Sequence, residues 1–468
     1  MKKIYLIGLL FCLLTSSCED FLDKTPSTSL PAEEAITSIT DLRNAVNGVA
    51  YLMSRSRMTY SADFAIVSDL KGSDFLPKSN NNQAGPIGRY TITKNDDIPY
   101  YAYAYFYRAI ARVNNVLSVI DKVPHSEDNL AEYNAYKGEL YAWRAMMHFD
   151  LARMFCNAPT AAADINAANS GIALSTAVYP PGYVAARTTL KQTYDQILSD
   201  FDIAMGLLSK DVKENRGRFN YWGALALRSR VHLYNGSYDK ALADAIEVMG
   251  CKEYALYTRD QYTKVWDQAH TIESLFEMNI TTTYNAQRNS VGYYCDSEGY
   301  GECAFVEGEN TLLSYLTAHP EDIRSQMVKV QGGPNPGTYP AKYPGRDKQI
   351  YVNNPKIIRL SEVYLIAAEA ALKTSSPQDA ASYINALRRN RIENYVDVPS
   401  VTLDDILYER RLELFAENAC AWDYWRNKKS VNNATVGEVN YDDYRAIFPI
   451  PQDEIDIAPD LLIQNPKY

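Results

Sequence analysis

Two stretches of the chain gather groups of the kind that hold a sugar. The first carries Asp74, three asparagines at positions 80 to 82, Arg89, Tyr90 and then Tyr100 and Tyr101. The second carries Tyr293, Tyr294, Asp296, Tyr300 and Phe305 among Gly292, Gly299 and Gly301. Flat aromatic faces cover the apolar side of a sugar ring, while Asp, Asn and Arg meet its hydroxyls. These residues are therefore candidate ligand contacts; the competing reading is that the rings pack under their own loops or against a partner protein. Cys295 and Cys303 lie in the second stretch, where a disulfide would stiffen the loop; a pair of buried thiols is the alternative. Tyr supplies 37 of the rings, against 13 Phe and 5 Trp. A ring that stacks and hydrogen-bonds at once suits a half-wet surface better than a core.

Catalytic chemistry finds less support. Glycoside hydrolysis needs two carboxylates about 5 to 10 Å apart, but among 57 acidic residues pairs such as Asp96-Asp97 and Asp404-Asp405 arise by chance. The sequence has no G-x-S-x-G and no phosphate-cradling glycine loop. Its five histidines (125, 148, 232, 270 and 319) are scattered without a paired spacing, and no cysteine spacing matches a zinc site. No metal or cofactor is expected. Lys and Arg total 47 against 57 Asp and Glu, a formal charge of -10. No basic run exceeds the Arg388-Arg389 and Lys428-Lys429 pairs, so the counterion release that drives nucleic-acid binding has no source.

The N-terminus points to export. Lys2 and Lys3 precede an apolar run from Ile4 to Leu14, too short for a permanent span and right for a signal peptide. The run ends in Leu14-Thr15-Ser16-Ser17-Cys18, which resembles the lipobox of bacterial lipoproteins. Residues 1–17 are then removed and Cys18 carries lipid. A plain secretory signal with an incidental Cys18 is the alternative. Removal leaves 45 basic against 57 acidic residues, a charge of -12.

Beyond a polar tether (Glu19 to Pro31), helical periodicity dominates. Helices are expected over Tyr101 to Ile120, Glu127 to Phe155, Thr188 to Leu208, Asn220 to Tyr234, Tyr238 to Met249, Lys356 to Leu372, Pro377 to Arg391 and Leu403 to Lys428. Short strands are expected at Tyr90 to Thr93 and Ser274 to Thr281. Ala224 to Leu242, and Glu362 to Leu372 with Asp379 to Leu387, read as tetratricopeptide-like pairs, in which small Ala residues let antiparallel helices approach, with Ala368, Ala371 and Ala380 at the contact positions of the second. The irregular segments Asp69 to Pro99, Tyr284 to Phe305 and Gln331 to Pro355 exceed what a connector needs. The fold class is mainly α: tetratricopeptide-like helix pairs with long irregular loops and a few short β-hairpins.

Along its whole mature length the sequence resembles the SusD/RagB family of surface nutrient-binding lipoproteins. The resemblance rests on Cys18-Glu19-Asp20-Phe21-Leu22-Asp23 and on Tyr107, Ile110, Arg112 and Asn114. Gly138-Glu139 with Arg144-Ala145 and Phe149, and Arg187-Thr188 with Tyr194, Ile197 and Asp200, extend it. Arg359-Leu360-Ser361-Glu362-Val363-Tyr364-Leu365, then Glu409-Arg410-Arg411 with Glu413, Glu417, Asp423 and Arg426, are more specific, as is the tail Pro449-Ile450-Pro451 with Gln464-Asn465-Pro466. Asn418 and Cys420 stand where Gly and Arg are usual. The spacing of Glu409, Arg410, Glu413 and Glu417 on one helix also suits a structural ion-pair network, and Glu139 with Arg144 reads the same way.

The resemblance implies one domain over 18–468, with an N-terminal part to about residue 250 and a C-terminal part from about 251. It implies a non-catalytic lipoprotein on the outer face of the outer membrane that captures an oligosaccharide and passes it to a SusC-like TonB-dependent transporter. An oligopeptide ligand within the same family, a secreted glycoside hydrolase and a helical-repeat adaptor are the other readings.

Overall fold

A computed structural model describes residues 31–78, 83–212 and 217–468. Helices of seven or more residues are α1 (Ile39–Leu52), α2 (Asp97–Val119), α3 (Leu130–Phe155), α4 (Leu190–Leu207), α5 (Tyr221–Tyr234), α6 (Tyr238–Met249), α7 (Leu312–Ala318), α8 (Leu360–Lys373), α9 (Pro377–Arg389), α10 (Leu403–Leu414) and α11 (Cys420–Arg426). Local sequence sets their ends. The side chain of Thr189 accepts from Gln192 N–H while that of Gln192 returns to the Thr189 amide, a capping box that starts α4. Asn220 caps α5 by accepting from Gly223 N–H.

The helices form a continuous stack in which α2, α3, α4, α5 and α6 pack in succession, and α6 then packs on α8, which packs on α9 and α10. One apolar core runs from Leu42 on α1 to Ile450. A smaller cluster, with Leu365, Ala368, Ala380, Ile384 and Ile406, lies between α8, α9 and α10. The alanines read as contact positions, Ala368, Ala371 and Ala380, are fully buried. Among the described residues no helix is long and apolar enough to cross a membrane.

Among the described residues eight short strands make four antiparallel pairs: β1 (Phe75–Leu76) with β3 (Ala304–Phe305), β2 (Ser274–Glu277) with β6 (Lys356–Arg359), β4 (Val328–Gln331) with β5 (Gly337–Pro340), and β7 (Val431–Asn433) with β8 (Gly437–Val439). Only the last two pairs are hairpins. The other two join distant segments, which local patterning does not reveal.

Three expectations are corrected. Tyr90 to Thr93 is not a strand: Tyr90 takes a φ of 55° after the one-turn helix Gly85–Gly88. Lys356 to Arg359 is a strand and helix α8 begins at Leu360, because these four residues bond to β2 before the helical repeat starts. Leu403 to Lys428 is two helices, broken where Ala416 and Asn418 take φ values of 58° and 64°. Asn tolerates that left-handed region better than most residues, and here it stands where the resemblance implies Gly.

Candidate functional site

The two polar stretches read from the sequence are joined in space. Strands β1 and β3 pair Phe75 with Phe305 and Leu76 with Ala304, and Lys78 N–H donates to Gly301 O at 2.9 Å. Below them Glu302 accepts from the amides of Ala84 (2.6 Å) and Gln83 (3.2 Å). Burial pushes the Glu302 carboxyl up to about 7, against the pull of those amides.

On this frame rings gather around one guanidinium. Ser290 starts the one-turn helix Val291–Tyr294, which Val291 N–H fastens to Ser61 O at 2.8 Å. Tyr300 N–H returns to Tyr293 O at 2.9 Å, bringing the two rings to 4.9 Å, edge to face. Gly299 is required here, since a Cβ would lie 2.0 Å from Tyr293 O. Tyr351 meets Tyr293 at 5.6 Å. Arg57 donates to Gln83 O at 2.7 Å, faces buried Asp63 at 3.4 Å and lies 5.7 Å over the Tyr101 ring. Burial works to lower its pKa, and Asp63, Tyr294 and Asp97 together more than offset that. Tyr101 stacks on Tyr105 at 5.7 Å and 21°, and Tyr100 meets Tyr101 at 5.5 Å. Tyr101, Tyr105, Tyr293, Tyr300 and Tyr351 are half-buried and Tyr100 is exposed, so together they offer a wet aromatic strip.

Several candidates are elsewhere engaged. Asp74 is buried and receives two bonds from Arg411 Nε, each at 2.9 Å. Phe305 is wholly buried between Phe75 and Phe415. Tyr294 has no exposed surface and serves as the floor beneath Tyr300, 5.3 Å away. Tyr90 is buried, with its hydroxyl donating to Lys71 O at 2.5 Å. Asp296 is bound by Lys329 (2.7 Å) and Gln331 (2.8 Å); burial raises its pKa, and these donors together hold it below the usual range. Arg89 is half-buried under Gly85. As ligand contacts Asp74, Phe305 and Tyr294 are therefore withdrawn: an anchoring role consumed their surface. Cys295 and Cys303 are free thiols, wholly buried, and burial together with the Cys295 thiol drives the Cys303 thiol well up. Cys18 and the asparagines at 80 to 82 lie outside the described residues.

Sequence reading missed Arg57, Tyr105 and Tyr351. Tyr101, Tyr105 and Arg108 do share one helical face by spacing, a signal that was available. Also missed was a cleft of about 790 Å³ between α1 and the segment after β2. At its rim Tyr51 meets Tyr284 edge to face at 5.4 Å. Inside it Arg218 donates to Glu139 (2.6 Å) and Asn47 (2.7 Å). Glu139 thus pairs with Arg218; Arg144, its expected partner, bonds Asp200 and Asn114 instead.

This is a stacked-helix protein whose loops build a ring-lined face, which is the architecture of a binding protein. Residues 20–233 match the family described as starch-binding and associating with the outer membrane, and residues 220–468, more than half of the chain, match the SusD family. The chain belongs to the SusD family. A SusD superfamily protein of Bacteroides thetaiotaomicron is 29% identical, with 92% of this chain and 100% of that one covered at a TM-score of 0.84. SusD-like protein P38 of Formosa agariphila is 23% identical over 94% of each chain. A laminarin-binding SusD-like protein shares the fold at a TM-score of 0.72 and 23% identity, over 92% of this chain and all of that one.

Proposed function

We propose that this protein is a surface-exposed glycan-binding lipoprotein that captures an oligosaccharide on the tyrosine strip and delivers it to a SusC-like TonB-dependent transporter in the outer membrane. One observation carries the binding reading: two segments far apart in the chain each present paired rings with exposed surface left on them, Tyr101 stacked on Tyr105 in α2, with Arg57 over Tyr101, and Tyr293 against Tyr300 in the later loop. That combination supplies stacking and hydroxyl recognition together. The family's printed descriptions and the laminarin-binding relative support a carbohydrate as ligand. The transporter follows from the family resemblance, and lipid at Cys18 supplies the tether.

A non-catalytic role is the consistent choice. Glu302, in the tyrosine loop, is wholly buried and capped by backbone amides, so it is poorly placed to transfer a proton to a glycosidic oxygen. The test is a glycan panel read by calorimetry and by reducing-end assay. Retention without new reducing ends is expected. Replacing Tyr101, Tyr293 and Tyr300 by Ala should weaken the retained ligand by about a hundredfold at on the order of 1 kcal/mol per ring. An affinity within about twofold of the parent would remove the strip from the site, and new reducing ends would make the protein an enzyme.

A further inference from the structure

The protein pairs its arginines almost everywhere. Arg144, Arg153, Arg228, Arg230, Arg324 and Arg359 each sit on a carboxylate within 2.9 Å, and most others do the same. Of those with no carboxylate at ion-pair distance among the described residues, Arg187 and Arg346 are held by carbonyls and amide side chains instead, whereas Arg43, Arg55, Arg108, Arg112 and Arg288 are exposed. They are not scattered. Arg43 lies on α1 and Arg55 just past its end; Arg108 and Arg112 lie on α2, the helix that carries Tyr101 and Tyr105; Arg288 lies in the loop that leads to Tyr293. Arg112 lies beside Gly48 of α1, so α1 and α2 present their cations together. Two guanidiniums lie over rings of the strip, Arg57 at 5.7 Å from Tyr101 and Arg108 at 5.4 Å from Tyr105; Arg55, two residues before Arg57, lies 4.8 Å from Tyr51 at the rim of the cleft. Arg288 acts on the Tyr300 hydroxyl. The opposing carboxyls are Asp63, buried and committed to Arg57, Glu302, buried under amides, Asp96, engaged by Thr93, and the exposed Asp97 and Glu298, the latter lying beside Gly333.

In a chain of charge -10, an uncompensated cationic rim around the ligand strip needs a reason. A neutral sugar would exchange the hydration of these cations for hydrogen bonds to its hydroxyls and gain little net. An anionic one gains planar, charge-assisted pairs from groups already held flat on aromatic faces. We propose that the tyrosine strip takes an anionic saccharide, whose carboxylate or sulfate oxygens are met by Arg55, Arg108 and Arg288. The assignment rests on the glycan-binding reading above. Stacking of these cations over sugar-sized rings favours an acidic glycan over an anionic lipid surface.

The experiment uses the full mature chain and three oligosaccharides of equal length: an oligogalacturonate, a sulfated galactan fragment and a neutral β-glucan. Calorimetry is run at low and at about 0.3 M salt, where screening shortens to a few Å. At least one acidic ligand should bind tenfold or more tighter than the neutral one and weaken with salt; which of the two does so separates carboxylate from sulfate recognition. R55Q/R108Q/R288Q should lose tenfold or more for that ligand and most of its salt dependence. The single exposed variants R108Q and R288Q, with circular dichroism unchanged, guard against a folding defect. Neutral glucan bound as tightly as the acidic ligands, or acidic binding unchanged in the triple variant, overturns the assignment while glycan binding stands. Failure of every glycan, in this set and in the wider panel, overturns both. Binding to anionic phospholipid vesicles in place of acidic sugar gives the face to the membrane and overturns this inference.

Discussion

Glu302 carries the tension of the site in one side chain. It ties the 83–88 turn to the tyrosine loop through two amides, yet its burial makes the ionised form costly. Its folded pKa is raised from 4.5 to about 7, so the stability linked to it is full below about pH 4.5 and is lost as pH rises through 7. Between pH 6 and 8 this one group should remove about 1 kcal/mol. Buried Lys71, lowered to about 7 by burial, works in the opposite sense over the same range, so the comparison must be between variants. Urea titrations of the parent and E302Q at both pH values are the measurement: the parent should lose about 1 kcal/mol more than E302Q, and parallel behaviour would mean that Glu302 stays ionised throughout. At this scale the sequence was a partial guide. Residue types marked both halves of the site, but a Tyr that floors a loop and a Tyr that faces solvent are spelled alike. Tyr294 and Tyr293 differ only in which side of a single helical turn they occupy.

Among the elements, the break between α10 and α11 tests how backbone and side chain share a position. Asn418 holds a φ of 64°, and its side-chain oxygen accepts from Ser68 N–H at 2.8 Å. Gly would keep the backbone conformation and lose the acceptor; Ala would lose both. N418A should therefore be less stable than N418G by about 1 kcal/mol, measured by denaturant midpoints. Equal stabilities would mean that the left-handed turn costs nothing here. Helix positions were legible because the 3.6-residue period survives without context: Tyr238–Met249 matches to the residue. What the period could not show was an interruption made by two left-handed residues inside an otherwise helical run, or a strand such as β6 that exists only because β2, some 80 residues earlier, lies beside it.

The largest scale is held by charge. Glu413 is buried against Arg359 (3.1 Å), Arg391 (3.0 Å) and Arg324 (3.4 Å), while Arg391 and Arg359 also grip Glu273 ahead of β2. One carboxylate thus joins α10 to β6, to the end of α9 and to the turn after α7. Burial raises its pKa, but the three arginines win and hold it far below the usual range; Glu417, Glu369 and Asp423 are lowered in the same way. The stability they contribute is complete above about pH 4.5 and is lost as pH falls below their unfolded values. E413Q should cost about 3 to 5 kcal/mol, since it strands buried guanidiniums, and should blunt the acid limb of the stability profile. A loss under 1 kcal/mol in urea titration would mean that the network merely fills space. The i, i+3 and i, i+4 carboxylates on α10 announced such a network; their partners, drawn from Arg324 to Arg391, did not show in any spacing.

The packing of α6 on α8 has a consequence in time. Residues 238–249 find their neighbour only when residues 360–373 exist, so synthesis leaves α6 with an apolar flank uncovered for more than about 100 residues. At about 5 to 20 residues per second that interval is at least several seconds, and loop closure over such a span is slow compared with forming either helix. Until α8 arrives, the packing of α6 rests chiefly on α5, and α8 then closes the flank that was left open.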